Sequence, residues 1–334
     1  MARRPTLKDI SELAGVSEMT ASRVLRGKGE ASPTTRDRVL EAAKKVGYVP
    51  NRIAGSLSSK SVDLVGVVVP SISSFVFAEV LTGLSNILKT TAMQPVFGVS
   101  DYDLNTEETV IREMLSWQPK GLVVAGLEHT DAARKMMANA GIPIVEIMDV
   151  DGDPVDLAVG VSHRRAGYET GKAIIARGYR KLGFIGTKYP LDHRAAKRFQ
   201  GFQQALSEAG ITLCDQEFFS GGSTLLLGRQ LTEKLLERSP EIEMIYYSSD
   251  TMSCGGLMHC IMNDISVPDQ LALAGFNGLD LRNGMPMLTA TMNAYRFEIG
   301  KKAAQLILEH EQPDYRAVRQ VVEFKPDIEF GDTL

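Results

Sequence analysis

Glu18, Met19, Ser22 and Arg23 have the side-chain types that read base-pair edges, and their spacing puts them on one face of a short predicted helix. An arginine fork bonds bidentately to guanine, and a carboxylate accepts from cytosine N4. A methionine offers only apolar contact, as to a thymine methyl. These four point outward because Ala21, Val24 and Leu25 form the apolar side of the same helix. The preceding helix places Leu7, Ile10, Leu13 and Ala14 on one face. Gly15 ends it, since glycine takes the left-handed conformation without steric cost. Ser17 is a suitable N-cap for the second helix. Two short helices, a tight turn and a polar face at the start of the second helix form the arrangement that enters a major groove. The plain alternative is an ordinary helical hairpin.

A second set of polar residues follows the expected strands further along. Open α/β sheets bind ligands beyond the C-terminal ends of their strands. Ser71, Ser73 and Ser74 follow the apolar run 64–70, with Phe75 and Phe77 behind them. Asp149 follows the run 143–148, and His193, Arg194 and Arg198 follow 181–186. Asp250 follows 244–247, where it also suits a plain helix cap, and Asn277 follows 271–276. Guanidinium forks pair with carboxylates, while Asp and Asn take hydroxyls. Catalytic signatures are missing: there is no G-x-S-x-G, P-loop or H-E-x-x-H motif. Gly183-Phe184-Ile185-Gly186 lacks the third glycine of a dinucleotide fingerprint. The five histidines are scattered without ligand spacing, and Asp192-His193 has no partner nucleophile in the pattern. The reading is a binding protein and not an enzyme, with no cofactor and no metal.

The elements that must position these residues divide the chain. A third helix starts at Ser32 and Pro33, carries Val39, Leu40, Ala43 and Val46 as its apolar stripe, and ends at Gly47. Residues 1–60 hold twelve Lys or Arg against six Asp or Glu, a net of +6. The rest holds 25 against 35, a net of −10, within a total of −4. A basic head on an acidic body suits phosphate binding confined to the head. From residue 62 strands and helices alternate, giving two doubly wound α/β units. In the first, strands are expected at 64–70, 95–99, 121–126 and 143–148. In the second, which starts near His163, they fall at 181–186, 217–220, 244–247 and 271–276. The chain should return to the first unit near Thr291, with a last helix at 297–309 and a last strand at 321–324. With 334 residues, 44% of them hydrophobic, the chain can bury a sizeable core. The N-terminus has no apolar leader and no run reaches membrane-span length, so a cytoplasmic location is expected. Cys214, Cys254 and Cys260 read as reduced thiols.

One ordered set of motifs closely resembles the lactose-repressor family of bacterial transcription regulators. It comprises Thr6-Leu7-Lys8-Asp9-Ile10, Ala14-Gly15-Val16-Ser17, Thr20-Ala21-Ser22-Arg23-Val24-Leu25, Val46-Gly47-Tyr48-Val49-Pro50-Asn51 and Ala54-Gly55-Ser56-Leu57. The resemblance covers the whole chain. It implies a helix-turn-helix head (1–48), a hinge helix in a linker (49–61) and an effector-binding and dimerisation domain (62–334). That domain has two lobes of the periplasmic sugar-binding type, about 62–162 with 292–320, and 163–291 with 321–334. On the head it implies that Glu18, Met19 and Arg23 lie toward base edges. Thr6, Ser17, Thr20, Ser22, Ser32 and Asn51 would lie along phosphates, with Leu7 and Ala54 in the same interface. Leu57 matches the hinge leucine that the family wedges into the minor groove, where an apolar wedge unstacks a base step. Gly55 should weaken the hinge helix by about 1 kcal/mol relative to Ala, so that the hinge orders only on DNA.

In the cleft, the resemblance implies that Arg198 of Arg198-Phe199-Gln200-Gly201-Phe202 faces a small effector together with Phe77, Asp149 and Asn277. Ser74, Arg194 and Asp250 complete the candidate set. Ser223 stands where many members place an aromatic residue, which favours an acyclic polyhydroxy acid over a sugar ring. Segments 77–81, 114–117 and 140–149 resemble the gluconate-repressor branch, so gluconate or a related aldonate is the expected effector. The implied function is a repressor that binds a palindromic operator as a homodimer and is released by its effector, at the nucleoid. The tail 324–334 is too short for a tetramer-forming heptad. The competing readings are a cytoplasmic sugar or sugar-acid receptor with a non-functional DNA head, and a regulator of a different sugar.

Overall fold

The computed structural model describes residues 3, 5–25, 31–49, 62–310, 312 and 319–334. The hinge residues Asn51, Ala54, Gly55 and Leu57 lie outside them. The chain forms two units that divide after Val62.

The first unit contains α1 (Leu7–Ala14), α2 (Glu18–Leu25) and α3 (Pro33–Val46). Thr6 and Asp9 form a reciprocal capping box at the start of α1, and Gly15 ends the helix at φ +62°. Ile10, Ala14, Ala21, Val24, Val39, Ala42 and Ala43 are the core, with Leu7, Val16 and Tyr48 packed against it. Arg38 ties α3 to the end of α1 through the Ala14 carbonyl. Two residues differ from expectation. Leu13 and Leu40 are about half exposed, at 47% and 48%. In α3 the buried stripe runs through Val39, Ala42 and Ala43, because small residues are needed where helices cross in so thin a core. Leu40 is thereby turned outward.

In the second unit, β1 (Leu64–Val69), β2 (Gln94–Val99), β3 (Gly121–Ala125), β4 (Ile144–Asp149), β5 (Leu157–Val161) and β11 (Gln320–Glu323) form one parallel sheet in the order β11-β5-β4-β3-β1-β2. A second parallel sheet has the order β7-β6-β8-β9, from β6 (Leu182–Thr187), β7 (Asp215–Phe219), β8 (Met244–Tyr247) and β9 (Ala272–Ala274). β10 (Thr291–Asn293) and β12 (Asp327–Glu329) pair antiparallel. β1, β3, β4 and β5 are almost wholly buried, as central strands covered on both faces must be. Burial of each large apolar side chain contributes about 1.5–3 kcal/mol.

The helices are α4 (Phe75–Leu88), α5 (Leu104–Ser116), α6 (Asp131–Ala138), α7 (His163–Ala176), α8 (His193–Glu208), α9 (Leu225–Arg238), α10 (Asp250–Met262) and α11 (Arg296–His310). α11 returns to the first lobe and shares its core with α4 and β1. α7 and α8 pack so closely that a Cβ at Gly167 would lie 1.9 Å from the Arg198 carbonyl oxygen, and one at Gly201 1.9 Å from that of Arg164.

Two assignments made from sequence are corrected. β5 was not expected: its five-residue apolar run follows an Asp- and Pro-rich turn and leads directly into a helix. The last strand was placed with the second lobe, from 321. β11 instead pairs in parallel with β5 of the first sheet, Val321 opposite Ala158. The chain reaches the second lobe only beyond it, where Thr333 bonds Leu273 and Ala290. Exposed Val321 explains the ambiguity, since an edge strand lacks a continuous apolar signal.

Candidate functional site

On the head, Glu18, Met19 and Arg23 are exposed on α2 while Ala21 and Val24 are buried. Met19 is 63% exposed. Ser22 is half-buried between them. Three of the hydroxyls expected along phosphates, Thr6, Ser17 and Ser32, carry caps. Thr6 accepts from the Asp9 amide, Ser17 from Thr20 at 3.1 Å and Ser32 from Thr35 at 3.2 Å. Capping and phosphate contact are compatible, because a capped helix N-terminus still presents amides and positive potential to an anion.

In the larger unit a cavity of about 340 Å³ opens where both parallel sheets reverse their strand order, beyond β1 and β6. Ser71, Ser73 and Ser74 line it after β1, Asp101 and Tyr102 after β2, and Met148 near the end of β4. The second lobe contributes Thr187 and Lys188 of β6 and its loop, Asp192, Arg194 and Arg198 of α8 and its cap, Ser223, Ser248, Ser249 and Asn277. Eight non-glycine residues have positive φ among the described residues, and five line this cavity: Asp101, Tyr102, Met148, Lys188 and Asn277. Such backbone strain, about 1–3 kcal/mol per residue, concentrates at ligand sites.

Arg198 is held on three sides. Its Nη1 donates to His163 Nδ1 at 2.9 Å, its Nη2 donates to the Ser248 carbonyl at 3.0 Å, and its guanidinium stacks 3.8 Å from the Phe276 ring centroid. His163 Nε2 donates to the Met148 carbonyl at 2.8 Å, which leaves Nδ1 with a lone pair for Arg198. Burial, reinforced by the Arg198 and Arg194 charges, pushes the His163 pKa down to about 3. The imidazole is therefore neutral, in agreement with that tautomer. Arg194 Nε lies 3.4 Å from Asp192 Oδ1, and its guanidinium faces Phe77 at 5.6 Å. Burial raises the Asp192 pKa, but Arg194 and Arg198 outweigh it and hold the carboxyl below its usual range.

Positive side chains outnumber negative ones on the lining, with Arg194, Arg198 and Lys188 against Asp101 and Asp192. The N-cap serines Ser74 and Ser249 leave α4 and α10 without a side-chain cap bond at the cavity. Ser249 Oγ is buried with no hydrogen-bond partner among the described residues. Three cations against the carboxylates of Asp101 and Asp192 leave a net positive charge, and with the surrounding hydroxyls and two uncapped helix N-termini this suits an anion that carries hydroxyl groups.

Of the sequence candidates, Ser74, Phe77, Arg194, Arg198 and Asn277 converge on the cavity, and Ser223 lines it while bonded to Thr187 at 2.9 Å. His193 lines a small adjoining recess instead. Asp149 and Asp250 are not among the lining residues. Asp149 is fully buried, with Oδ2 2.5 Å from Lys197 Nζ and Oδ1 accepting from the Asp151 amide. Asp250 accepts from Thr291 Oγ1 at 2.6 Å and the Leu279 amide at 2.7 Å; burial raises its pKa. Both carboxylates join elements of the protein to one another. Tyr102, His163, Lys188, Asp192, Ser248 and Ser249 were not among the candidate set. Tyr102 and Lys188 follow strands, so the rule that found Ser71 also covers them.

No helix among the described residues is long and apolar enough to cross a membrane, and no three or more of their His, Cys, Asp and Glu side chains cluster so as to hold a metal ion. The three cysteines are free thiols.

Residues 6–51 match the family described as bacterial regulatory proteins of the lacI family, and residues 62–326 match periplasmic binding proteins and the sugar binding domain of the LacI family. The chain belongs to the LacI family of DNA-binding transcriptional regulators. It is 35% identical to the HTH-type transcriptional regulator GntR of Pseudomonas aeruginosa, over 91% of this chain and 89% of that one. It is 32% identical to the GntR regulator of Escherichia coli K12, over 92% of each. A crystal structure of a LacI-family transcriptional regulator from Silicibacter pomeroyi is 53% identical, with a TM-score of 0.95 over 98% of this chain and 99% of that one.

Proposed function

We propose that this regulator represses genes for sugar-acid utilisation and that gluconate or a close aldonate releases it from its operator. The cavity chemistry carries the reading. Arg194 and Arg198 are buried guanidiniums that lie against Phe77 and Phe276, on a lining that also carries the hydroxyls of Ser71, Ser74, Ser223 and Ser248 and the Asn277 amide. One carboxylate on the arginines and a chain of hydroxyls along the serines would satisfy both sets of groups. The GntR names of two relatives agree with it.

The head binds a palindromic operator as one half of a homodimer, since one helix-turn-helix reads only a few base pairs. Glu18, Met19 and Arg23 read base edges, with Leu7 beside them, while Thr6, Ser17, Thr20, Ser22, Ser32 and Asn51 follow phosphates. Ala54 and Leu57 belong to the hinge contact. The protein acts on nucleoid DNA in the cytoplasm. The chemistry proposed is binding alone, with no catalysis.

A gel shift on the promoter DNA next to the gene tests this, with and without D-gluconate. Release by D-gluconate and not by D-glucose is the expected result. Operator binding indifferent to every aldonate would overturn the ligand assignment, and failure to bind any such DNA would favour a receptor with a vestigial head.

A further inference from the structure

We propose that Tyr102 is a specificity-determining residue of this cavity, reading the hydroxyl-bearing carbon chain of the ligand, and that Lys188 positions it from the opposite lobe. The proposal rests on the sugar-acid reading of the same cavity. Tyr102 belongs to the loop after β2 in the first lobe, and Lys188 follows β6 in the second. Both line the cavity.

The local backbone is built for this placement. Asp101 and Tyr102 are successive non-glycine residues at φ +48° and +62°, and Lys188 meets them at φ +53°. L-residues avoid this region unless the surroundings hold them in it. For Lys188 those surroundings are specific: its amide donates to the Phe219 carbonyl at 2.7 Å, and its carbonyl accepts from the Asp192 amide at 2.8 Å. Its ammonium then lies 4.7 Å from the Tyr102 ring centroid and 3.7 Å from Asp101 Oδ1. A cation over one face of the ring holds it from across the cleft.

The side-chain chemistry agrees. Tyr102 is the one tyrosine on the lining among the described residues; it combines a flat apolar surface with a group that both donates and accepts. Burial, with the Asp192 carboxylate, pushes its pKa up to about 12, and the Arg194 and Arg198 charges act on it as well. It stays a neutral hydroxyl at any working pH and sits within the field of the carboxylate anchors. Across the cavity, Ser223 Oγ and Thr187 Oγ1 share one hydrogen bond at 2.9 Å. An amphipathic ring beside charged anchors discriminates between a hydroxylated acid and a plain one, because an unmatched polar group in a closed site is costly.

Calorimetry with D-gluconate, and competition by hexanoate, tests this on the full chain, with circular dichroism melting as the check on folding. Tyr102→Phe should bind D-gluconate about tenfold more weakly and lose the same factor in preference over hexanoate. Lys188→Met should show a similar loss, and Lys188→Arg should restore binding to near the parent value. Tyr102→Phe binding D-gluconate as the parent does would overturn the proposal. So would an equal loss for both acids, or equal impairment in Lys188→Met and Lys188→Arg, since these mark a merely structural role. If the parent itself binds no D-gluconate, the sugar-acid reading fails and takes this proposal with it.

Discussion

Lys197 Nζ on α8 of the second lobe lies 2.5 Å from Asp149 Oδ2 at the end of β4 in the first lobe. Glu128 Oε1 is 2.6 Å from the same ammonium. Asp149 is fully buried, and the Lys197 side chain is 9% exposed. Burial depresses the lysine pKa, but Asp149 and then Glu128 reverse the effect and raise it. The pair therefore fastens the two lobes next to the arginines of the cavity. Removing one partner of a buried pair leaves a stranded charge and costs about 3–5 kcal/mol. Lys197→Met should destabilise the protein by that order in urea unfolding. Asp149→Leu added to it should recover part of the loss. A single-variant cost within error of zero would show that the contact does not bind the lobes.

His129 gives a pH dependence. Its side chain is buried between Glu107 Oε1 at 2.5 Å and Glu146 Oε1 at 3.2 Å, and Glu146 also accepts from the Val155 amide. Burial alone would lower its pKa; the bonds to Glu107 and Glu146 overcome that and raise it to about 9. A folded-state pKa above the ordinary 6.5 means stabilisation that is complete below pH 6.5 and is lost as pH rises through about 9. The melting temperature should fall between pH 7 and pH 10, and His129→Gln should flatten that fall. A parent curve flat to pH 10 would contradict a protonated His129.

These two networks also show where sequence reading stops. The strand ends that carry Ser74 and Asn277 were legible, because buried parallel strands are continuous apolar runs and ligands lie beyond them. Arg194 and Arg198 followed from the same rule together with the family motif. Asp149 obeyed the rule too, yet Lys197 takes it, and only the packing of one lobe on the other decides between ligand and lysine. Glu146 interrupts an apolar strand, but nothing nearby in sequence announces His129 as its partner. The edge strand β11 was found, though its lobe was not, since its exposed positions match either sheet equally well.

For the head, Arg23 and Lys8 should behave differently. Arg23 is exposed on α2, and on the proposed reading its loss removes a bidentate contact and with it discrimination at one base. Lys8 belongs to α1, with its side chain 66% exposed; on the proposed reading it touches phosphate only. Arg23→Ala should cost about 1–3 kcal/mol and relax specificity at one position, whereas Lys8→Ala should weaken all sequences alike and reduce the salt dependence. Quantitative gel shifts over a set of single-base operator variants would read this. An equal loss of selectivity in the two variants would refute the assignment.

Arg198 should control the response to ligand. A ligand shifts a conformational equilibrium only by its differential affinity for the two states. If Arg198 reads the carboxylate as proposed, it is one contact through which that differential affinity can arise. Arg198 suits this because His163, Ser248 and Phe276 fix its guanidinium, and His163 reaches the first lobe through Met148. Arg198→Ala removes the fork and strands the His163 lone pair, so D-gluconate affinity should fall by at least 30-fold, about 2 kcal/mol or more. Arg198→Lys keeps the charge but loses the planar fork, and should recover little. Gly167→Ala tests the same residue from behind: its Cβ would collide with the Arg198 carbonyl oxygen, force α8 off α7 and weaken binding without altering any group in the cavity. In gel shifts, Arg198→Ala should remain on the operator at D-gluconate concentrations that release the parent. If calorimetry instead found Arg198→Ala and the parent binding D-gluconate equally well, the carboxylate would have to be placed on Arg194 alone.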